Sequence, residues 1–125
     1  MVHILVVDDE AMIREGLKAY LEDEGMQVDT HERCETALQS MEQGRCFDIC
    51  ILDLRLPQMD GHECIQLLHN RQCDLQFLIY TGSSTDALQN ELGAMGIDDQ
   101  YVFHKPLMDM SVFVRAIHQL LGGVS

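Results

Sequence analysis

Four short apolar runs constrain this chain most: Ile4-Leu5-Val6-Val7, Ile49-Cys50-Ile51-Leu52, Phe77-Leu78-Ile79-Tyr80 and Tyr101-Val102-Phe103. A run that is apolar at every position has no face to offer water. It reads as a strand buried on both sides, which is the situation in a parallel sheet covered by helices. A weaker fifth strand is predicted at Gln27–His31. Helical periods fill the intervals. Ile13, Leu17, Tyr20 and Leu21 fall at i, i+4, i+7 and i+8, and Gly25 stops that helix. Cys34, Ala37, Leu38 and Met41 make a second stripe, ended by Gly44; Ile65 and Leu68 mark a third. Leu88, Leu92 and Met95 mark a fourth, opened by a cap in Ser83-Ser84-Thr85-Asp86 and closed in Gly93-Ala94-Met95-Gly96. Val112, Phe113, Ala116, Ile117 and Leu120 mark the fifth.

Strand and helix in strict alternation predict an α/β fold, a doubly wound (βα)5 arrangement. Right-handed crossovers leave few topologies, and a flavodoxin-like five-stranded parallel sheet in order 2-1-3-4-5 is the expectation. The 125 residues suit one domain over 1–121, with 122–125 as a C-terminal tail or linker.

The charge narrows the partners. With 8 basic and 21 acidic residues, the net charge is 8 − 21 = −13. That excludes electrostatic capture of nucleic acid or an anionic membrane by this segment alone. No apolar run approaches the roughly 20 residues of a membrane span, and no charged n-region precedes the first strand. Five cysteines (Cys34, Cys46, Cys50, Cys64, Cys73) without a CxxC pair read as reduced thiols in a cytoplasm, small buried hydrophobes and not metal ligands. The methionines at helical spacing, Met12, Met41, Met95 and Met110 among them, read as core or edge packing.

Ligands of such sheets bind beyond the carboxyl ends of the strands, at the switch point between strands 1 and 3. Strand 1 runs into Asp8-Asp9-Glu10, strand 3 into Asp53, strand 4 into Thr81-Gly82 and strand 5 into His104-Lys105-Pro106. Alone, each of these is an ordinary cap, turn or surface residue. Together they bring carboxylates, a hydroxyl and an ammonium to one crevice. Carboxylates held close repel, so the group is stabilised by a cation or by a raised pKa. Hard oxygen ligands favour Mg²⁺ over zinc. A cation beside Lys105 makes a pocket for a phosphoryl group, and Asp53 between them is placed as a nucleophile that would form an acyl phosphate. Glu10 is either a third acidic ligand or the residue that opens the first helix, and the helix reading is preferred.

These residues also resemble a family. Asp8-Asp9, the run Asp53-Leu54-Arg55-Leu56-Pro57-Gln58-Met59-Asp60-Gly61, Thr81-Gly82 and Lys105-Pro106 are similar to the motifs of response regulator receiver domains of two-component signal transduction, over essentially the whole chain. The resemblance implies that Asp53 accepts a phosphoryl group from a histidine kinase or a histidine phosphotransfer protein. It implies that Asp9 and, partly through water, Asp8 hold Mg²⁺ with Asp53 and the Arg55 backbone carbonyl. Lys105 would pair with phosphoryl oxygens, and the Thr81 hydroxyl would bond one after its loop moves inward. Lys105-Pro106 would be a cis peptide. The face made by the fourth helix, fifth strand and fifth helix would change affinity for an unknown output domain or protein, with a phosphorylation-dependent dimer as one form of response.

The protein would be a phosphoacceptor and not an enzyme, losing its phosphoryl group slowly on its own. Neither nucleic acid nor a membrane would be a direct partner. An aspartyl-nucleophile phosphohydrolase fits less well, because the strand-1 acids are adjacent and Asp53-Leu54-Arg55 lacks a second acid. A phosphorylation-independent binding module would be expected to have lost one of Asp9, Asp53, Thr81 or Lys105. One departure stands out. Many receivers carry Phe or Tyr three residues before the Lys, and here that residue is Val102. Tyr101 and Phe103 flank it and should point to the opposite face.

Overall fold

A computed structural model describes residues 1–56, 59–82 and 86–122. Pro57, Gln58, the cap residues Ser83, Ser84 and Thr85, and the side chains of Asp86 and Leu88 fall outside it. The elements alternate as expected: β1 (His3–Val7), α1 (Ala11–Asp23), β2 (Gln27–His31), α2 (Cys34–Glu42), β3 (Ile49–Leu52), α3 (Gly61–Arg71), β4 (Gln76–Thr81), α4 (Asp86–Ala94), β5 (Val102–His104) and α5 (Ser111–Leu120). The five strands form one parallel sheet in the order β2-β1-β3-β4-β5.

Each interior strand buries both faces, which is why its sequence shows no polar alternation. Ile4, Val6, Ile49, Ile51, Leu78 and Tyr80 pack against Leu17 and Leu21 of α1 and Phe113, Ala116 and Ile117 of α5. The alternate residues Leu5, Val7, Cys50, Leu52, Phe77 and Ile79 pack against α2, α3 and α4 through Ala37, Ile65, Leu68 and Leu92. Gly25 (φ +87°) follows α1 in the left-handed region that ends a helix, as its place in the sequence predicts.

Four expectations need correction. The fifth strand starts at Val102; Tyr101 ends a short 3-10 turn (Asp99–Tyr101) in which the Asp98 carboxylate accepts the Gln100 N–H. The cysteines are not all reduced: Cys34 and Cys64 form a disulfide, with Cα atoms 5.9 Å apart. They stand 30 residues apart in sequence and meet because α2 packs on α3, which no local spacing reveals. Cys46, Cys50 and Cys73 are free, and burial pushes the Cys50 thiol up. Finally, Met12 is 85% exposed, one position off the buried stripe of α1, whereas Met41, Met95 and Met110 do pack on the core. The choice posed for Glu10 also dissolves, as the site shows.

Candidate phosphoacceptor site

The site residues stand one step past the sheet, held there by backbone bonds that extend the ladder. The Asp8 N–H donates to the His31 carbonyl (3.0 Å), the Asp53 N–H to Val7 (3.1 Å) and the Lys105 N–H to Thr81 (2.9 Å). These bonds tie the ends of β2, β1 and β3 together and those of β4 and β5 together, and the β3–β4 pairing of Leu52 with Ile79 joins the two sets. Among the described residues, Asp8, Asp53 and Thr81 are the buried polar side chains of the core.

Lys105 organises the crevice. Its Nζ lies 2.9 Å from Asp8 Oδ2, 3.0 Å from Asp53 Oδ2 and 3.5 Å from Glu10 Oε1. The other carboxylate oxygens are held by backbone: Asp8 Oδ1 accepts the Glu10 N–H (2.9 Å) and Asp53 Oδ1 accepts the Arg55 N–H (3.0 Å). Arg14 donates to the Asp8 carbonyl at 2.8 Å. Burial would push the Lys105 ammonium down, but the hydrogen bonds and charges of Asp8 and Asp53 outweigh it, so the amine stays charged with its pKa above the ordinary range. Burial raises the Asp8 carboxyl, and the Asp53 charge adds to this; Lys105 and the Glu10 N–H pull the other way.

Asp8, Asp9, Glu10 and Asp53 each offer a carboxylate oxygen within 4.8 Å of the others. A set of hard, anionic oxygens this close suits a hard divalent cation. Glu10 therefore does two things. Its backbone is the N-cap of α1, its carbonyl accepting from Ile13 and Arg14, while its side chain joins the acidic cluster. A crevice of about 240 Å³, lined by Asp9, Glu10, Asp53, Arg55, Gly82 and Lys105, opens beside them. The Lys105–Pro106 peptide is cis.

The loop after Asp53 is closed by contact. Arg55 and Asp60 form an isolated antiparallel bridge, and the Gly61 N–H donates to the Leu54 carbonyl at 3.1 Å. A Cβ on Gly61 would lie 2.5 Å from Leu54 Cα, so only glycine lets α3 start here. Asp60 caps α3 by accepting the His62 N–H and contacts the His62 Nδ1 at 3.0 Å, while His62 Nε2 lies 3.1 Å from a Glu91 carboxylate oxygen of α4, an ion pair when the ring is protonated. Sequence reasoning missed this bridge and the ring of Tyr80 beneath Lys105 at 5.6 Å. A histidine after the Asp-Gly step and a tyrosine before Thr81 were the signals available.

The comparisons with known proteins agree with this geometry. The family model of the response regulator receiver domain matches residues 4–118. The response regulator SaeR of Staphylococcus epidermidis is 31% identical over 125 residues, which is 100% of this chain and 52% of that protein. SaeR of Staphylococcus aureus is 29% identical over 121 residues, 97% of this chain and 51% of that one. The chain thus spans about half the length of these curated relatives. A two-component response regulator of Clostridium difficile shares the fold with a TM-score of 0.87 at 22% identity, over 98% of this chain and 97% of that one. The response regulator TrrA of Thermotoga maritima, solved in complex with Mg²⁺-BeF, has a TM-score of 0.78 at 29% identity, over 96% and 99% of the two chains. Its fold, its strand-end constellation and the family match together place this chain in the response regulator receiver domain family of two-component signal transduction.

Proposed function

We propose that Asp53 is the phosphoacceptor. The observation that carries this reading is the pairing of Asp53 Oδ2 with Lys105 Nζ at 3.0 Å inside an acidic cluster at the strand ends. One Asp53 carboxylate oxygen attacks phosphorus, the donor's bond to phosphorus breaks, and an acyl phosphate forms. The other oxygen stays on the Arg55 N–H, which fixes the attack direction. Lys105 then shifts from pairing the carboxylate to pairing phosphoryl oxygens, keeping its proton because Asp8 still faces it.

The oxygens of Asp8, Asp9 and Asp53, with the Arg55 backbone carbonyl, fit Mg²⁺, and Glu10 is near enough to join or modulate that set. When bound, the ion supplies positive charge for the phosphoryl oxygens. The Thr81 hydroxyl is the phosphoryl ligand that reports the state, and the face formed by α4, β5 and α5 carries the change to a partner. The donor is a histidine kinase or histidine phosphotransfer protein. The output domain or protein lies outside these residues, and a phosphorylation-dependent dimer is one form its response can take. Residues 1–121 make up the receiver, with 122–125 as tail or linker. The protein works in the cytoplasm, and slow loss of its own phosphoryl group resets it. No helix of the described residues is long and apolar enough to cross a membrane.

Intact mass after acetyl phosphate with Mg²⁺ should rise by one phosphoryl group, and Asp53→Asn should abolish the rise. Full labelling of the Asn variant would defeat the reading.

A further inference from the structure

We propose that Tyr80 is a positioning residue for Lys105, holding the ammonium and its loop from the α5 side of the sheet; this rests on the reading of Lys105 as a phosphoryl contact. Three contacts converge on its ring. The Lys105 ammonium lies 5.6 Å from the ring centroid. The hydroxyl accepts the Leu107 backbone N–H at 3.0 Å, pinning the chain two residues beyond Lys105. The ring edge meets Phe113 of α5 at 5.0 Å and 78°, and Phe113 meets Phe103 of β5 at 5.2 Å. Tyr80 is 3% exposed and Phe113 0%.

Each contact has a separate job. A cation over an aromatic face is attracted by the ring quadrupole, more strongly when water is excluded. That attraction survives when Lys105 changes its anionic partner, so the ammonium has a seat independent of Asp53. The hydroxyl fixes the backbone on the other side of Pro106, which removes a hinge motion that would swing Lys105 out of the crevice. Leu107 is half-buried, so deleting the acceptor leaves its N–H only partly able to turn to water. Phe113, fully buried itself, packs edge-on against the ring and restrains it from the α5 side. Tyr80 immediately precedes Thr81 in β4 and, by alternation, faces away from it. Lys105 is therefore braced from one face of the sheet while Thr81 responds on the other.

Two variants separate the contacts. Tyr80→Phe keeps the ring and deletes the hydroxyl, and Tyr80→Leu deletes both. In the 125-residue chain with Mg²⁺ and varied acetyl phosphate, Tyr80→Phe should lower the maximal rate of Asp53 labelling about tenfold with little change in half-saturating acetyl phosphate, and Tyr80→Leu should lower it further. Lys18 and Lys105 are the only lysines, so their side-chain NMR signals are directly comparable. In the wild type the Lys105 ε-protons should lie upfield of those of Lys18, a ring-current shift that Phe retains and Leu abolishes. The Leu107 amide should exchange slowly.

Labelling of Tyr80→Phe within twofold of wild type overturns the proposal. So does a fall in rate with unchanged Lys105 signals in Tyr80→Leu, which marks a merely structural role. If the variants do not fold, the wild type decides: Lys105 ε-protons coincident with those of Lys18, with a freely exchanging Leu107 amide, overturn the proposal. A wild type that does not label at Asp53 at all defeats the phosphoacceptor reading instead.

Discussion

Gly61 offers the sharpest test of how the site loop is built. A Cβ built there lies 2.5 Å from Leu54 Cα, 2.8 Å from its carbonyl oxygen and 3.0 Å from its carbonyl carbon. Carbon atoms pack at about 3.5–4.0 Å, so the shortfall is about 1 Å against atoms of the main chain, which cannot rotate aside as a side-chain tip can. Relief requires separating Gly61 from Leu54, which breaks the 3.1 Å bond from the Gly61 N–H to the Leu54 carbonyl and disturbs the residue next to Asp53. Overpacking of this kind costs about 3 kcal/mol, or roughly 10 °C in Tm for a domain this size.

Gly16 provides the opposite sign in the same protein. It is exposed within α1, and a Cβ there meets nothing within 4 Å. Gly16→Ala should therefore stabilise by about 0.5–1 kcal/mol, since alanine restricts the unfolded chain and favours helix. Urea unfolding of both variants, with Asp53 labelling measured alongside, checks the pair. Gly61→Ala within about 0.5 kcal/mol of wild type would refute the close-approach argument, and so would loss of stability in Gly16→Ala.

Mg²⁺ should raise the melting temperature of the wild type, by about 2.7 kcal/mol of stability at 100 times Kd, and calorimetry should find this gain absent in Asp9→Ala. Lys105→Met leaves Asp8 and Asp53 facing each other without their cation; its metal-free stability should fall by about 3 kcal/mol, and Mg²⁺ should restore more stability to it than to wild type, whereas an equal gain would count against competition between ammonium and metal. Asp60 is held below the ordinary carboxylate range, first by hydrogen bonds from the His62 side chain and N–H, so its ionised form adds stability above the unfolded value near 3.9, and this is lost as pH falls through the lower folded value. Asp60→Asn keeps a cap acceptor but no charge, so the stability gap to wild type should close as the pH falls below the unfolded value and through the lower folded one; because Asp60 is 67% exposed the gap stays under about 1 kcal/mol, and a gap that widens on acidification would contradict the assignment.

The parts of the fold that sequence reveals are those where one physical demand acts on consecutive residues. β3 at Ile49–Leu52 matches the expected bounds because an interior strand must be apolar along its length and a polar residue ends it; the edge strand β2 at Gln27–His31 also matches, though only Val28 of it is buried. The strand-end residues are legible for a related reason: strand termini place Asp8, Asp53, Thr81 and Lys105 at one edge once the parallel order is known. What stays hidden is pairing between distant elements. Periodicity puts Cys34 on a buried face and residue type suggests burial for Cys64, but neither says that the two meet. It likewise leaves His62 on a helix without its partner Glu91, and it cannot distinguish the exposed Met12 from a core methionine, since residue type is the same and only a one-position offset differs.

Val102 shows how a local departure and a distant contact answer one another. The side chain three residues before Lys105 is a buried, β-branched valine packed with the α2, α3 and α4 cluster, and its χ1 stiffness leaves it little volume to sweep. Phe103 lies in the opposite cluster, as strand alternation requires, and Tyr101, in the turn before the strand, packs on that same cluster. Aromatic mass that many receivers place on one side of the fifth strand is here gathered on the other, in the contacts of Phe103 and Tyr80 with Phe113. A ring on that side cannot fill space that the Thr81 hydroxyl vacates, because the sheet itself intervenes. It can brace Lys105, the one cation within reach of both Asp8 and Asp53 among the described residues. If Asp53 is the phosphoacceptor and Tyr80 the brace, the two faces of the sheet divide the work: Lys105 would be held from the α5 side, and any response of Thr81 would be registered on the other.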